Sequence, residues 1–239
     1  PAVKSYLVKR RVKEETMKEF RIGFAPQSWD FLLRALDQKG FRKEELEKAG
    51  LAVKSEDRSS WYDRFRSRIM FPITDANGRV IGFSGRIFAS PSESLTKEGR
   101  ESASGGETSN AAKVEAKYVN TPGTLIYDKS KVLYGFDKAK QEIRAKNQVV
   151  VTEGQMDCVM SHQAGVKNTI AVSGTALTSQ QLKTLKRLCE TLVSSFDTDA
   201  AGESATKRSL ALASQFEFEC KVAVIPSGKD PADAVKENP

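Results

Sequence analysis

The sequence predicts an α/β protein in which a parallel sheet flanked by helices follows a mixed α+β, basic part. From residue 148 onward, short apolar runs alternate with helical patterns, which is typical of a parallel sheet covered on both faces. Earlier in the chain, Asn77-Gly78 lies between two alternating runs and indicates a hairpin. Residues 1–148 hold 29 Lys and Arg against 20 Asp and Glu, whereas residues 149–239 hold 9 against 11. A basic half beside a slightly acidic half predicts a polyanion-binding part next to one that gathers carboxylates.

Short helices are predicted in the first fifty residues. Apolar residues recur there with a spacing of about 3.6, and glycine and proline separate the segments. The predicted helices cover residues 12–20, 29–36 and 43–48.

A β-hairpin is predicted to join residues 64–73 and 79–86 through the Asn-Gly turn. Alternate residues of its first strand are arginines, which we expect on one face about 6.6–6.8 Å apart. Because this spacing is close to the phosphate repeat of an extended single strand, phosphate contact is predicted; a solvated face with salt bridges is the alternative. The arginines are Arg64, Arg66 and Arg68.

Two segments without a clear period follow the hairpin. Residues 89–116 contain no aromatic residue and only Leu95 and Val114 as large aliphatics, so a flexible insertion without chemistry is expected. Residues 117–137 mix turn formers, aromatics and basic groups. They are interpreted as a loop that presents functional groups, although a plain connector fits almost as well.

The second half is predicted to alternate strands and helices. Such strands are parallel, and ligands of an open α/β sheet bind outside their carboxyl ends. The strands are predicted at 148–153, 168–172, 191–196 and 221–225, and the helices at 157–164, 179–188 and 204–216.

Carboxylates follow three of these strands at the edge where ligands bind. Glu153 ends the first strand, and Asp197 and Asp199 follow the third, where their i, i+2 spacing on extended backbone directs both the same way. Gathered carboxylates repel one another unless a cation joins them, and oxygen ligands favour Mg²⁺ or Mn²⁺. After the fourth strand come Asp230 and Lys229, which could neutralise a phosphate. The alternative is that Glu153 and Asp199 cap the helices that follow them.

Several classes of protein and site are excluded or disfavoured. With a single histidine, His162, and three cysteines that form no C-x-x-C pair, sites with two His ligands and zinc ribbons are not expected. Neither G-x-G-x-x-G nor a Walker lysine pattern occurs. No run of eighteen apolar residues and no secretory apolar segment is present, so a soluble protein of a reducing compartment, without membrane contact, is expected.

The motifs of the second half resemble the Toprim domain, which is shared by bacterial-type primases, topoisomerases, some nucleases and recombination proteins. They are Val151-Thr-Glu153-Gly154, Gly174-Thr175 and Asp197-Thr-Asp199-Ala-Ala-Gly202. The first half carries segments that look like the core of replicative bacterial DNA primases and that topoisomerases and nucleases lack. These are Phe20-Arg-Ile-Gly-Phe-Ala-Pro26 with Trp29, Asp63 to Ile73, Gly78 to Arg86, Lys117-Tyr-Val-Asn-Thr-Pro122 and Leu133-Tyr-Gly135.

This resemblance implies a primase core that synthesises RNA primers, with a basic N-terminal subdomain at residues 1–147 and a Toprim catalytic subdomain at 148–239. Carried over by position, it implies that Glu153, Asp197, Asp199 and Asp230 hold Mg²⁺ or Mn²⁺, the first three being catalytic. It places Arg86, Lys117, Asn120, Lys129 and Lys229 around the incoming nucleotide and template, and Arg64, Arg66 and Arg68 nearby on DNA.

The implied partners are a single-stranded DNA template, ribonucleoside triphosphates and a replicative helicase, with a monomer in the bacterial cytoplasm at the replication fork. In this family a zinc-binding module precedes the core, and a helical bundle and a helicase-binding domain follow it, so the chain is expected to be a fragment. A Toprim nuclease, and a non-catalytic module that binds single-stranded DNA, are the alternatives.

The chain departs from the family pattern at three places. Gln155 stands where an aromatic residue is usual, and Gly123 where an acidic one is usual. The last acidic motif, commonly Asp-Pro-Asp, is Asp230-Pro-Ala-Asp233 here, which leaves the role of Asp233 open. None of these departures touches the central carboxylates.

Overall fold

The computed structural model describes residues 2–57, 59–88, 116–173, 176–196 and 200–223, without the side chains of 200–206. The predicted insertion at 89–116 lies outside these ranges, apart from residue 116. Within the described ranges, no helix combines the length and the apolar character that crossing a membrane requires.

Four short helices make up most of the first fifty residues. All three predicted helices are present, the last with the predicted bounds of 43–48 and the other two with shifted bounds, and an unpredicted helix precedes them. The helix predicted at 29–36 begins only at Phe31. Its start is set by Asp63, which is distant in sequence and accepts hydrogen bonds from the N–H groups of Leu32 and Leu33 at 2.7 and 3.0 Å. The helices are α1 (Ala2–Lys9), α2 (Glu14–Glu19), α3 (Phe31–Asp37) and α4 (Lys43–Lys48).

An antiparallel sheet forms the centre of the basic half, and a two-stranded sheet lies beside it. The predicted hairpin is confirmed: its turn is closed by Asp75, whose carboxylate accepts from the N–H groups of Asn77 and Arg79, with Gly78 at φ +79°. The four-stranded sheet has the order β1-β4-β5-β6, with β1 (Gly23–Ala25), β4 (Arg68–Thr74), β5 (Val80–Ile87) and β6 (Tyr118–Asn120); β2 (Ala52–Lys54) pairs with β3 (Trp61–Asp63).

The predicted row of three arginines on one strand is wrong. Strand β4 begins only at Arg68, because Ser67 adopts the left-handed region at φ +48° and breaks the alternation before it. Arg68 is also buried, at 5% exposure, and its guanidinium donates to the carbonyl oxygens of Gly85 and Ala116 at 3.3 and 3.0 Å. It therefore stabilises the sheet and does not present a charge to solvent.

The second half contains the predicted parallel sheet, with every strand pair parallel and the order β10-β9-β7-β8. One helix that the sequence did not reveal leads into it. The strands are β7 (Gln148–Thr152), β8 (Thr169–Ala171), β9 (Thr191–Ser194) and β10 (Glu219–Val222), and the helices are α5 (Phe136–Lys146), α6 (Gln155–Gln163), α7 (Ser179–Lys186) and α8 (Ala200–Ser214).

One hydrophobic core joins the two halves. Tyr134, buried at 3% exposure, stacks on Phe20 with ring centroids 6.0 Å apart and meets Phe71 edge-to-face at 6.4 Å. Its backbone also exchanges two hydrogen bonds with Ala171 at the edge of the parallel sheet. The basic half and the parallel sheet thus share buried surface, and a boundary at residue 147 remains a prediction.

Candidate active site

The carboxyl ends of three parallel strands align around Glu153. This residue directly follows the central strand β7, and its backbone carbonyl accepts from the N–H of Ser173, after β8, at 3.0 Å. On the other side, the N–H of Ser195, after β9, donates to the carbonyl of Val151 at 2.9 Å. The half-buried Glu153 therefore lies where the sequence placed it, on the edge at which an open α/β sheet binds ligands.

Most of the predicted metal ligands lie outside the described residues. These are Asp197, Asp199 and Asp230, together with the predicted phosphate contact Lys229. Among the residues that the structure does describe, no three His, Cys, Asp or Glu side chains gather closely enough to hold a metal ion. Glu153 has the hard oxygen chemistry and the edge position that suit a divalent cation.

The start of α6 shows that Glu153 is not its capping residue. Asp157, in the first turn, accepts from the N–H of Gly154 at 3.2 Å and so caps the helix. A Cβ on Gly154 would stand 2.7 Å from this carboxylate, which explains the glycine. The capping alternative for Glu153 is therefore not supported, and Glu153 directly precedes Gly154, the N-cap residue of α6.

Asn120, on β6, connects the basic half to this edge. Its Nδ2 lies 3.5 Å from the carbonyl oxygen of Ser173, the residue whose N–H binds Glu153. Its Oδ1 is buried and accepts no hydrogen bond from any of the described residues. A buried acceptor without a donor is costly, so this oxygen is suited to receive a hydrogen bond from a ligand.

Arg86 lies in a cluster of aromatic and charged groups next to this edge. Its Nη1 donates to Tyr6 Oη at 2.6 Å, and its guanidinium lies 5.6 Å from the Tyr6 ring centroid, with Arg10 at 6.0 Å from the same ring. Burial raises the pKa of Tyr118 to about 12; the charge of Arg86 acts against this rise and that of Asp157 adds to it. Two cations thus lie at the Tyr6 ring, and sequence reasoning missed Arg10 because only packing brings the end of α1 close to Arg86.

Two of the three predicted lysines lie among the described residues, and hydrogen bonds to their backbone carbonyls hold them in place. Lys117 is exposed, and its carbonyl accepts from Ile87 at 2.9 Å. Lys129 is half-buried, and its carbonyl accepts from Gln181 of α7 at 3.4 Å. The segment that carries Lys129 is therefore fixed against the start of α7, beside the same edge of the parallel sheet.

A second group of residues, which we term the Trp29 platform (Trp29, Tyr62 and Arg66), forms an exposed stack. The Arg66 guanidinium lies 4.2 Å from the Trp29 ring centroid and 5.1 Å from that of Tyr62, while Trp29 remains 65% exposed. Sequence reasoning missed Trp29, although an aromatic residue at a polar helix start in the basic half was a usable signal.

Arg64 is the remaining arginine of the predicted row. Its side chain is half-buried, and burial lowers the pKa of its guanidinium below the usual range. Its Nε is buried and makes no hydrogen bond with the residues that the structure describes. A nearby anion would compensate for both costs.

Comparison with known proteins identifies both halves of the chain. Residues 1–140 match the family described as DNA primase catalytic core, N-terminal domain, and residues 150–235 match the family described as Toprim-like. The DNA primase of Clostridium acetobutylicum is 36% identical over 235 residues, which cover 98% of this chain and 35% of that protein. The chain thus spans little more than a third of its curated relative's length.

Solved structures give the same result. The RNA polymerase domain of Mycobacterium tuberculosis primase DnaG superposes with a TM-score of 0.82 at 35% identity, covering 99% of this chain and 72% of that one. A structure described as the DnaG primase catalytic domain bound to ssDNA has a TM-score of 0.77 at 32% identity and covers 99% and 68%. The fold and the family matches along both halves agree, and the chain belongs to the family of DNA primase catalytic cores.

Proposed function

We propose that this chain synthesises short RNA primers on single-stranded DNA from ribonucleoside triphosphates. The observation that carries the proposal is the contact of Asn120 with Ser173, which brings the basic half to the edge where Glu153 lies. Primer synthesis needs a carboxylate edge, a triphosphate site and a template site side by side. The described residues support each of these in turn.

The carboxylate edge would hold divalent cations, Mg²⁺ or Mn²⁺. Glu153 would contribute to this site together with Asp197, Asp199 and Asp230. Such ions, when bound, activate an attacking hydroxyl and stabilise the charge of a leaving pyrophosphate. The parallel pairing of β7 with β9 supports this group of ligands, because the segments that follow the two strands then begin at the same edge of the sheet.

The triphosphate would lie among Arg86, Lys117, Lys129 and Lys229. Phosphoryl transfer asks a protein mainly for positioning and charge neutralisation, which suits a site that has no nearby histidine base. Asn120 would accept a hydrogen bond from the nucleotide through its buried Oδ1. The lysine segments held through backbone hydrogen bonds keep this arrangement fixed before the nucleotide binds.

The template would run along the Trp29 platform. An exposed indole with a guanidinium stacked on it offers a surface for a base, and Arg66 and Arg64 offer charges for phosphates. Arg68 would take no part, because it is buried. A related core has been solved with ssDNA, which supports the same class of ligand for this chain.

In the cell, this function belongs at the replication fork in the bacterial cytoplasm. The partner there would be a replicative helicase. The core itself would act as a monomer.

The decisive experiment is incorporation of labelled ribonucleotides on a single-stranded DNA template with Mg²⁺ or Mn²⁺. We compare the wild type with Glu153→Gln and Asp199→Asn, and with Asp37→Asn as a matched control at an exposed helix end. Short RNA from the wild type and the control, but not from the site variants, is expected. Degradation of DNA without nucleotides would instead indicate a nuclease, and template binding without any product a non-catalytic module.

A further inference from the structure

A small apolar cavity lies between α3 and the antiparallel sheet. Its volume is about 180 Å³, and its lining includes Phe65 and Phe83, whose rings meet edge-to-face at 6.3 Å. Phe24 and Phe31 also line it and are 44% and 54% exposed, so they stand at its opening. A cavity of this size is smaller than the roughly 300 Å³ of a typical drug-sized pocket and suits one planar ring system.

The polar character of the lining is confined to one side chain. Asp63 is the only charged residue among those that line the cavity, and its two carboxylate oxygens already accept from the N–H groups of Leu32 and Leu33. Because Asp63 is also only 3% exposed, the lining offers little polar surface that could hydrogen-bond to the edge of a ligand. The cavity is suited to an aromatic group that is recognised by its faces and its size.

The cavity and the Trp29 platform share Asp63. The backbone N–H of Asp63 donates to the Trp29 carbonyl at 2.7 Å, and its own carbonyl accepts from Arg66 Nη1. Pro26 and Phe31, which flank Trp29 in sequence, both line the cavity. A single DNA strand held on the Trp29 platform would therefore pass close to the opening of the cavity.

We propose that this cavity accepts one unstacked nucleobase of a single-stranded template held on the Trp29 platform. The base packs against the phenylalanine rings, while the phosphates of the strand stay outside the cavity, near Arg64 and Arg66. Because the lining offers little polar surface that could hydrogen-bond to the edge of the base, the site accepts any of the four bases. This inference rests on the proposed template binding and adds to it a second base-binding position.

Fluorescence anisotropy with two oligonucleotides of equal charge tests the proposal. One is an ordinary deoxythymidine oligomer, and the other carries abasic sites throughout. The variant is Phe31→Ala, and the control is Phe41→Ala, which removes a phenylalanine of similar exposure (50%) outside the cavity.

We expect Phe31→Ala to weaken binding of the ordinary oligomer by about 5-fold, the lower end for one stacked base, with the abasic oligomer and the salt dependence unchanged. Phe41→Ala is expected to bind both oligomers as the wild type does. Equal affinity of Phe31→Ala and wild type for the ordinary oligomer would overturn the cavity assignment. Equal losses in both variants would do the same.

A cross-linking experiment on the wild-type chain separates this position from the platform. An oligomer with 5-iodouracil at single positions is irradiated, and the attached residue is identified by mass spectrometry. Attachment to Phe24 or Phe31 is expected, whereas attachment to Trp29 alone rejects the cavity as a base site. If the wild type binds neither oligomer, template binding itself fails and the inference falls with it. If the wild type prefers the ordinary oligomer but Phe31→Ala keeps the full preference, stacking on the platform stands and only the cavity position fails.

Discussion

The side-chain amide of Asn120 lies 3.5 Å from the backbone carbonyl oxygen of Ser173. Since the N–H of Ser173 donates to the carbonyl of Glu153, one short chain of contacts runs from the antiparallel sheet to the edge of the parallel sheet at which Glu153 lies. The basic half is thus placed against the carboxylate edge by a specific polar contact as well as by the shared core.

Replacing Asn120 should therefore reduce catalysis more than template binding. We expect Asn120→Ala to lower primer synthesis about 2- to 10-fold, the loss typical of one neutral hydrogen bond. Affinity for single-stranded DNA should stay within about 2-fold, because the platform is untouched. Asn77→Ala, in the exposed hairpin turn, is the control. Equal losses of rate in both variants would reject the assignment.

Trp29 and Arg66 should affect different quantities, although they stack on one another. Trp29→Ala removes a stacking surface and is expected to weaken single-stranded DNA binding about 5-fold or more, with the salt slope unchanged. Arg66→Ala removes a phosphate contact, so the slope of log affinity against log salt should fall by about 1. Anisotropy titrations at four salt concentrations check both. A slope that changes only in Trp29→Ala would contradict the platform.

Arg68 should affect stability and not DNA binding. Arg68→Ala leaves the buried carbonyl of Gly85 and the part-buried carbonyl of Ala116 without this donor, which is expected to lower the free energy of unfolding by about 1–3 kcal/mol. The salt slope of DNA binding should equal that of the wild type. Urea denaturation and the same titrations measure the two quantities, and a reduced slope would restore Arg68 to the DNA-binding set.

Two glycines with positive φ allow the cost of backbone strain to be measured apart from the cost of a steric clash, because only one of them has close neighbours. Gly40→Ala, at φ +85° with open space around it, should cost about 1 kcal/mol of unfolding free energy. Gly50→Ala, at φ +70°, adds a Cβ at 2.7 Å from Pro122 Cδ and 2.8 Å from Thr121 Cγ2, and should cost about 1–3 kcal/mol more. Urea denaturation of the two variants side by side gives the difference, and equal costs would show that the loop after Asn120 yields freely.

His162 should make the fold sensitive to mild acid. Burial lowers the pKa of His162, whose Nε2 lies 2.8 Å from the carbonyl oxygen of Thr169. The unfolded chain therefore takes up a proton more readily, so the histidine's contribution is complete above about pH 6.5 and declines as pH falls below it. Since this is the only histidine, His162→Gln should flatten the stability curve between about pH 5 and 7. An unchanged slope in the variant would contradict this origin.

Local patterns predicted the parallel sheet, the hairpin and the place of Glu153, because each follows from periodicity or turn chemistry within a few residues. The row of arginines failed because a single left-handed residue, Ser67, shifts the start of β4. Trp29 and Arg10 were missed for another reason. Arg66, which stacks on Trp29, is distant from it in sequence, and Arg10 lies near Arg86 only because Tyr6, four residues before Arg10, packs against Arg86.

The core that contains Phe20 and Tyr134 of the first half also contains Met156 and Ala171 of the second, and this has a mechanical consequence. A shared core of this kind holds the two halves in one orientation, because close-packed cores resist continuous deformation. Hinged opening and closing of two lobes is therefore not available to this core. In the proposed primer synthesis, each added nucleotide would therefore require the nucleic acid to move past a protein frame that stays fixed.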